Sequence, residues 1–417
     1  MKALLFVLRR SLSCHKVGFG LTILTVALSF TLCLGIFSLH RQSKSILVME
    51  NLGFDAVLGA RGSALQLVLS SIYHLEASPG NLPWEIYKNI KDHPGVEHAV
   101  PFATGDNYKG YRIVGTLESF FSLYGGGVNF KDGGPFLGGD QMVSEKPGAV
   151  LGSTVAQETG RRVGDLIHPY HGLVFDEGAR HDNTYKVVGV MEPTNTPADR
   201  VVWIPIDGFY RLGGHVLMGS GETYQPEAGV EIPDAHKEVS AVLLSLKNPM
   251  FGMMLDQTIN RQGTVATLAF PIAKEVLVMY KKMGWVLVIL QGVALLSLIV
   301  SATGSTAAIT NTLHERRREF AILRAIGARR RHLLFLVLGQ SVVLCLAGVV
   351  VGLGLYAVMM FFVVEALREN IGLHFSIFFS HEIFWQLPVG TLLLGCLAGL
   401  IPATLTYRED VAANLNE

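Results

Sequence analysis

Cysteine is scarce in this sequence, and one long segment has none. The chain has four cysteines, of which Cys33, Cys345 and Cys396 lie inside long apolar runs and Cys14 precedes the first run. Residues 38–283 therefore have no disulfide framework. At about 240 residues, that segment is long enough to build a hydrophobic core without one.

Charge is also scarce, and four long runs contain no Asp, Glu, Lys or Arg. Charged residues make up 16% of the chain and hydrophobic residues 50%. Each run is long enough to cross a bilayer as a helix, and the third is long enough to tilt or to continue beyond it. Uncharged runs offer no proton relay or ion-coupling site, which counts against a secondary transporter or a channel. The predicted spans are Val17–Phe37, Trp285–Ala308, Leu333–Val364 and Ile383–Thr406.

Familiar catalytic motifs are missing as well. The sequence contains no Gly-x-Ser-x-Gly elbow, no His-Glu-x-x-His pair and no Cys-x-x-Cys pair. It also lacks the Gly-x-x-x-x-Gly-Lys-Ser/Thr loop that cradles nucleotide phosphates, so it does not bind ATP by that route. These absences predict a non-catalytic chain that binds no cofactor of its own, and nothing in the sequence indicates nucleic-acid binding.

Lysine and arginine are distributed unevenly over the segments between the runs. The segment before the first run carries four and no acidic residue, and residues 309–332 carry seven arginines. Because Lys and Arg are retained on the cytoplasmic side, both termini and residues 309–332 are predicted to be cytoplasmic and residues 38–283 external. The first run is predicted to stay as an uncleaved anchor, since no signal-peptidase site follows it.

The sequence therefore predicts an α-helical membrane protein with four transmembrane helices and an α+β extracytoplasmic domain inserted between helices 1 and 2. The expected order is N-terminus and helix 1 (1–37), external domain with helical stalks (38–283), helix 2 (284–308), cytoplasmic loop (309–332), helix 3 (333–364), external loop (365–382), helix 4 (383–406) and cytoplasmic tail (407–417).

Local patterns place strands and helices within the external segment. A helix is expected at Thr154–Thr159, with Thr154 and Gln157 as a capping box and Gly160 as its stop, and a second at Met250–Arg261. Strands are expected at Val96–Phe102, Tyr111–Gly115, Ala149–Gly152, Tyr185–Met191, Val201–Pro205 and Val239–Leu246.

Small residues recur every four positions within the apolar runs, as in Gly348/Gly352 and Gly395/Gly399. Such spacing lets two helices approach closely in lipid. It fits packing within one copy of the chain and a seam between two copies equally well.

One cluster in the external segment is typical of metal ligands. His168, His171, Asp176 and His181 fall close together between a Gly-Asp turn and the strand that begins near Tyr185. Imidazole and carboxylate groups suit a divalent transition metal such as zinc, and a hairpin could bring both ends of the cluster together. The alternative is a polar loop whose histidines cap turns or face water.

The segment after the second run is predicted to form a charged amphipathic helix. Acidic residues come early and arginines later, and Phe320 and Leu323 fall on one face. Gly327 is suited to ending the helix. An interfacial helix on anionic lipid is one interpretation, and a helix that inserts its apolar face into a groove of a soluble partner is the other. The interleaved Glu315 and Glu319 favour the protein partner.

At these residues the chain resembles the MacB/FtsX-like permeases of ABC transporters. The family's Glu-Arg-x-x-Glu-x-x-x-x-Arg-Ala-x-Gly-Ala signature matches residues 315–328, between the second and third spans. The likeness extends to residues 148–152 and 185–190 and to Ile401-Pro402-Ala403. Carried over by position, the signature implies that the contacts with the ATPase are made by Glu315, Arg316, Arg317, Glu319, Phe320, Leu323, Arg324, Ala325, Gly327 and Ala328.

The resemblance implies a permease that transmits motion and hydrolyses nothing itself. A separate cytoplasmic ABC ATPase dimer would bind ATP and magnesium, and the 315–328 helix would dock on it. The permease would pair with a second copy of itself or a related permease, in a bacterial inner membrane. Externally it would act on a substrate, an adaptor, a lipoprotein or a substrate-binding protein. The alternatives are a signalling scaffold that activates an envelope hydrolase and a membrane-anchored zinc-handling component.

Overall fold

The computed structural model separates into two compact units. The membrane unit comprises the described residues of 1–44, 283–366 and 375–417, and the inserted domain comprises those of 45–282 and 367–374. The structure describes residues 16–48, 52–136, 147–212, 232–315, 322, 329–371, 375–377 and 382–408.

Ten α-helices are found in the part of the chain that the structure describes. They are α1 (Lys16–Val48), α2 (Ala64–Ser71), α3 (Trp84–Lys91), α4 (Ser119–Leu123), α5 (Ser153–Thr159), α6 (Ile206–Tyr210), α7 (Pro249–Asp256), α8 (Ile272–Glu315), α9 (Arg330–Ile371) and α10 (Ile383–Arg408).

Four of these helices, α1, α8, α9 and α10, are long and apolar enough to cross a membrane. Each contains one of the predicted spans, so the prediction of four spanning segments is confirmed. Both α1 and α8 extend past their apolar runs, α1 to Val48 and α8 from Ile272.

Within its described residues, the inserted domain is built on a mixed sheet of eleven strands. Its main path runs β13-β1-β12-β3-β4-β10-β6-β9-β5, while β7 pairs with β9 and β8 with β3; β2 and β11 pair separately. The strands are β1 (Ala56–Ala60), β2 (Leu82–Pro83), β3 (Val96–Tyr108), β4 (Tyr111–Thr116), β5 (Phe130–Gly133), β6 (Gly148–Leu151), β7 (Leu166–Ile167), β8 (Tyr170–His171), β9 (Tyr185–Met191), β10 (Val201–Pro205), β11 (Glu238–Val239), β12 (Ala241–Leu246) and β13 (Ala266–Ala269).

Both faces of this sheet are buried, which explains why its central strands are apolar without alternation. In β10, Val202 and Ile204 belong to one hydrophobic cluster, and Val201 and Trp203 belong to the other. Helices α3, α5 and α7 contribute to the first cluster, and α2, α4 and the start of α8 contribute to the second. The expected α+β class is therefore confirmed, with helices on both sides of a mixed sheet.

Strand β3 spans both halves of the sheet. Its first half pairs with β12, and its second half pairs with β4 and β8. The register with β4 shifts between Thr104 and Asp106, so Gly105 is an extra, bulged residue. A bulge changes the direction in which the following side chains point, and here Asp106 and Asn107 are both fully buried.

Three local expectations need correction. The strand expected at Val239–Leu246 is divided at Ser240 into β11 and β12, which belong to different sheets. The strand expected at Val96–Phe102 continues to Tyr108, because the turn-like Gly105-Asp106-Asn107 is absorbed as a bulge. The predicted capping box is wrong: α5 begins at Ser153 after Gly152, which makes no side-chain cap, and Thr154 is buried inside the helix. The stop at Gly160 is confirmed by its left-handed backbone, φ 68°.

Both predicted pairs of glycines, Gly348/Gly352 and Gly395/Gly399, pack within one copy of the chain. A side chain at Gly348 would collide with Val26, and one at Gly352 would come within 2.9 Å of the Ala27 carbonyl oxygen, so α9 lies tightly against α1. Side chains at Gly395 and Gly399 would likewise collide with α9. These glycines therefore serve contacts inside the protomer rather than a dimer seam.

A histidine with a buried ring nitrogen gives the inserted domain a pH-dependent stability. The His74 ring lies 5.7 Å from the Trp203 ring, and its Nδ1 is buried without a hydrogen-bond partner among the described residues. Burial, and then the charge of Arg112, lower the pKa of His74 to about 3. Below the unfolded pKa of about 6.5, protons bind the unfolded chain more readily, so stability falls as the pH drops from there towards 3.

We expect His74→Asn to flatten this dependence, because asparagine tolerates the positive φ of 55° and does not titrate. The melting temperature of the wild-type protein should fall further between pH 7 and pH 5 than that of the variant. The control is His98→Asn, since His98 is an exposed histidine of β3. If His74→Asn keeps the wild-type pH dependence, this account of His74 is wrong.

Candidate functional site

Most of the predicted ATPase contact lies outside the described residues. Glu315 is described as the exposed last residue of α8, and Ile322 is helical and exposed. The residues of this prediction that lie outside the described part are Arg316, Arg317, Glu319, Phe320, Leu323, Arg324, Ala325, Gly327 and Ala328.

The two helices that flank this segment are held together by one hydrophobic cluster. Ile309 and Leu313 of α8 pack with Leu333, Leu336 and Val337 of α9. Phe19 of α1 and Ala403 of α10 belong to the same cluster. The described residues on either side of the segment therefore meet at a packed junction of all four long helices.

The opposite end of α8 is anchored in the core of the inserted domain. Ile272 and Val276 are buried in the cluster that contains Trp203, and Met279 packs against it. These residues recur at helical spacing, so one face of the first two turns is fixed. From Ile272 to Glu315 the helix contains no proline, whereas α10 contains Pro388 and Pro402.

Two of the four predicted metal ligands lie together, and a third group joins them. His171 in β8 is the cross-strand partner of Asp106 in β3. His171 Nδ1 and His181 Nε2 each lie 3.4 Å from Asp106 Oδ1. The side chain of Asp106 is fully buried, that of His181 is 7% exposed and that of His171 is 58% exposed.

The other two predicted ligands lie apart from this cluster. His168 Nε2 is 2.8 Å from a guanidinium nitrogen of Arg180, and burial, followed by Arg180 and Arg161, lowers its pKa. Asp176 accepts a hydrogen bond from the Gly178 amide at 2.9 Å and caps a short helical turn. Their positions fit the alternative of a polar loop. The carboxylate beside His171 and His181 is that of Asp106, whereas the sequence pattern predicted Asp176.

Asn107 attaches the histidine-bearing loop to β3. Its side-chain amide is fully buried and donates to the carbonyl oxygens of Gly172 at 2.9 Å and Val174 at 3.2 Å. Its own oxygen accepts from the Gly110 amide at 3.0 Å. A further contact fixes the other end of the loop, since the His181 amide donates to the Pro169 carbonyl oxygen at 3.0 Å.

The sequence pattern missed Asp106, which is far from the histidines along the chain. Gly105-Asp106-Asn107 is a composition typical of a turn, so no strand was expected there. Only the pairing of β3 with β8 brings the carboxylate beside His171.

The fold thus defines an integral membrane protein with a large domain inserted after its first spanning helix. The sequence profile of the MacB-like periplasmic core domain matches residues 19–242, and that of the FtsX-like permease C-terminal region matches residues 292–411. The first match alone covers more than half of the chain. This chain belongs to the MacB/FtsX-like family of ABC transporter permeases.

Relatives agree with this membership. An uncharacterized ABC transporter permease of Methanocaldococcus jannaschii is 29% identical over 56% of this chain and 54% of its own length. The macrolide export ATP-binding/permease protein MacB of Bdellovibrio bacteriovorus is 24% identical over 61% of this chain and 36% of its own length. The chain thus matches about half or less of the length of these relatives.

Two solved structures are similar to part of the chain. The periplasmic region of MacB from Actinobacillus actinomycetemcomitans is 9% identical, with a TM-score of 0.35, over 56% of this chain and 95% of that one. The extracellular domain of the noncanonic ABC-type transporter YknZ from Gram-positive bacteria is 12% identical, with a TM-score of 0.30, over 51% of this chain and 99% of that one.

We predict that Asn107→Ala frees the loop at 170–174 from β3. Losing hydrogen bonds from a buried amide costs about 1–3 kcal/mol, so amide hydrogen exchange in this loop should accelerate about tenfold to a hundredfold. Mass spectrometry of the detergent-solubilised protein would measure it.

Asn183→Ala is the matched control, because that side chain donates to the Arg211 carbonyl oxygen. Unchanged exchange at 170–174 in Asn107→Ala would show that Asn107 does not hold the loop.

Proposed function

We propose that this chain is a non-catalytic permease subunit that transmits ATP-driven motion from a separate cytoplasmic ABC ATPase to its inserted domain. The observation that carries the proposal is α8, a helix whose two ends are buried in different hydrophobic clusters. Its far end leads directly into the Glu/Arg segment.

An uninterrupted helix is suited to this task. Each backbone hydrogen bond along it resists bending, it contains no proline, and it stays α-helical through its one Gly-Ser pair, Gly304-Ser305. A displacement at Glu315 would therefore reach Ile272 without being absorbed in between. Since Ile272 and Val276 are buried beside the central strands, the sheet of the inserted domain would move with the helix.

The Glu/Arg segment is the docking site in this proposal. Its apolar face, with Phe320 and Leu323, would enter a groove of the ATPase, and its arginines would meet acidic groups there. ATP and magnesium would be bound by the partner, because these 417 residues contain no phosphate-binding loop of the Walker type. The family membership supports an ABC ATPase as the partner.

The arrangement in the membrane follows from charge. The arginines of 309–332 would keep that segment and both termini in the cytoplasm, so the inserted domain would face the periplasm of a bacterial inner membrane. There it would act on an envelope substrate or partner, such as an adaptor, a lipoprotein or a substrate-binding protein.

A second copy of the chain is expected beside α8. Only 17% of the most apolar stretch of α8 is buried, against 56% for that of α1. The remaining surface is available to lipid or to another permease, and an ABC ATPase dimer offers two docking grooves. We therefore propose a homodimer, or a pair with a related permease.

Purification of the full-length protein in detergent, with co-purifying chains identified by mass spectrometry, tests the assembly directly. We expect a Walker-motif ATPase in the eluate. A protein that carries no such ATPase, under conditions that preserve native complexes, would contradict the proposal.

Charge reversal at Glu315 and Glu319 to lysine should disrupt this complex. In the docked state Glu315 and Glu319 would pair with basic groups of the ATPase, so lysine at both positions would place like charges at the interface, at a cost of several kcal/mol. ATPase recovery should therefore fall at least tenfold while the permease itself stays folded. Glu382→Lys, an exposed acid that lies outside this segment, is the control. If wild type, the Glu315/Glu319 variant and Glu382→Lys recover equal amounts of ATPase, the docking assignment is wrong.

Weakening α8 in its middle should leave binding of the ATPase intact but block the transmission of motion to the inserted domain. Leu295→Gly with Leu296→Gly changes two exposed residues, at about 1 kcal/mol of helix stability each. We expect the ATPase still to bind, but ATP should no longer alter amide hydrogen exchange at 266–276. The paired control is Leu393→Gly with Leu397→Gly, exposed on α10. An ATP response that survives in the α8 variant would exclude α8 as the transmitting element.

A further inference from the structure

We propose that Asp106, His171 and His181 bind one divalent transition-metal ion, with zinc as the ion that best suits this set of donor atoms. The site lies in the inserted domain. It is not the set suggested by sequence spacing, because it includes Asp106 and omits His168 and Asp176.

The two nitrogen-to-oxygen distances match the spacing of ligand atoms around a zinc ion. Zinc lies about 2.0–2.2 Å from nitrogen and oxygen ligands in tetrahedral geometry, which places neighbouring ligand atoms about 3.3–3.6 Å apart. Both nitrogen-to-oxygen distances here are 3.4 Å, and all three donor atoms lie within 4.8 Å of one another. A direct charge-assisted hydrogen bond would be shorter, at about 2.7–2.9 Å.

The chemistry of the donors points to the same class of ion. Two imidazoles and one carboxylate are a common set for zinc and its neighbours, whereas calcium and magnesium prefer oxygen ligands throughout. Asp106 is fully buried, and a buried carboxylate needs compensating charge or hydrogen bonds. Burial, and then the negative charge of Asp106, raise the pKa of the nearby Tyr185 phenol.

The backbone holds the three ligands in place before any ion arrives. Asp106 and His171 are paired across two strands, and the bulge at Gly105 precedes the carboxylate. Tyr170 and Arg180 form an isolated bridge, which brings His181 beside the same short strand. Asn107 adds side-chain hydrogen bonds between β3 and the loop. Little conformational entropy is then lost when the metal binds.

One side of the site is open to solvent. His171 is 58% exposed, so water can complete the coordination and the ion can exchange with the surroundings. Three protein ligands with one open position distinguish this site from a sealed structural zinc centre, which has four protein ligands. We therefore infer an exchangeable ion rather than one needed for folding.

Calorimetric titration of the full-length, chelator-stripped protein in detergent with zinc chloride tests the site. Wild type should bind about one zinc ion per chain. Binding of Co²⁺ at the same site should give the visible absorption of a tetrahedral complex. His171→Gln removes an exposed ligand, leaves the fold intact, and should weaken zinc binding at least about tenfold. Asp106→Asn, which keeps the side-chain shape, should do the same.

The controls are the other members of the histidine-rich loop. His168→Gln and Asp176→Asn should bind zinc as wild type does, because neither side chain reaches the cluster. The proposal is overturned if wild type binds no zinc, if His171→Gln binds it unchanged, or if His168→Gln loses binding to the same extent. No ATPase is present in this assay, so its outcome is independent of the proposed transmission of motion.

Discussion

The absence of water from the hydrocarbon core of a membrane is the constraint on which this structure depends. Backbone amide and carbonyl groups there must bond within their own helix, and a charged side chain would be left without solvation. The four charge-free runs accordingly become α1, α8, α9 and α10. Charged and titratable chemistry is therefore concentrated in the segments between them. One is the arginine-rich segment after α8, and the other is the inserted domain.

Helix α8 connects those two segments along the chain. Packing among lipid chains offers no hydrophobic gain, so close contacts such as Gly348 against Val26 hold the membrane unit together. Burial of apolar surface away from water holds the first end of α8, where Ile272 and Val276 lie in the domain core. At the other end, Ile309 and Leu313 pack in the four-helix junction. A helix fixed at both ends transmits a displacement rather than dissipating it, which is the physical basis of the proposed function.

Strand β3 has a comparable role within the inserted domain. Its thirteen residues join the two halves of the sheet, and the bulge at Gly105 sets the direction of the side chains that follow. Asp106 and Asn107 are buried as a result, one beside two histidines and the other bonded to the loop that carries His171. The bulge thus places the Asp106 carboxylate beside two histidines, and it also places Asn107 where its side chain bonds to the loop that carries His171.

The sequence by itself determined the four spans, the family signature and the α+β class of the inserted segment, because these depend on local composition and on spacing along the chain. It also placed Gly160 at the end of its helix, where a left-handed backbone is needed. Only the tertiary structure decided that the glycines of α9 and α10 serve contacts within the protomer, that β3 continues to Tyr108, and that Asp106 rather than Asp176 accompanies His171 and His181. Strand pairing brings together residues that are distant in sequence. No local pattern records which strands will be neighbours, so this part of the site could not be predicted from sequence.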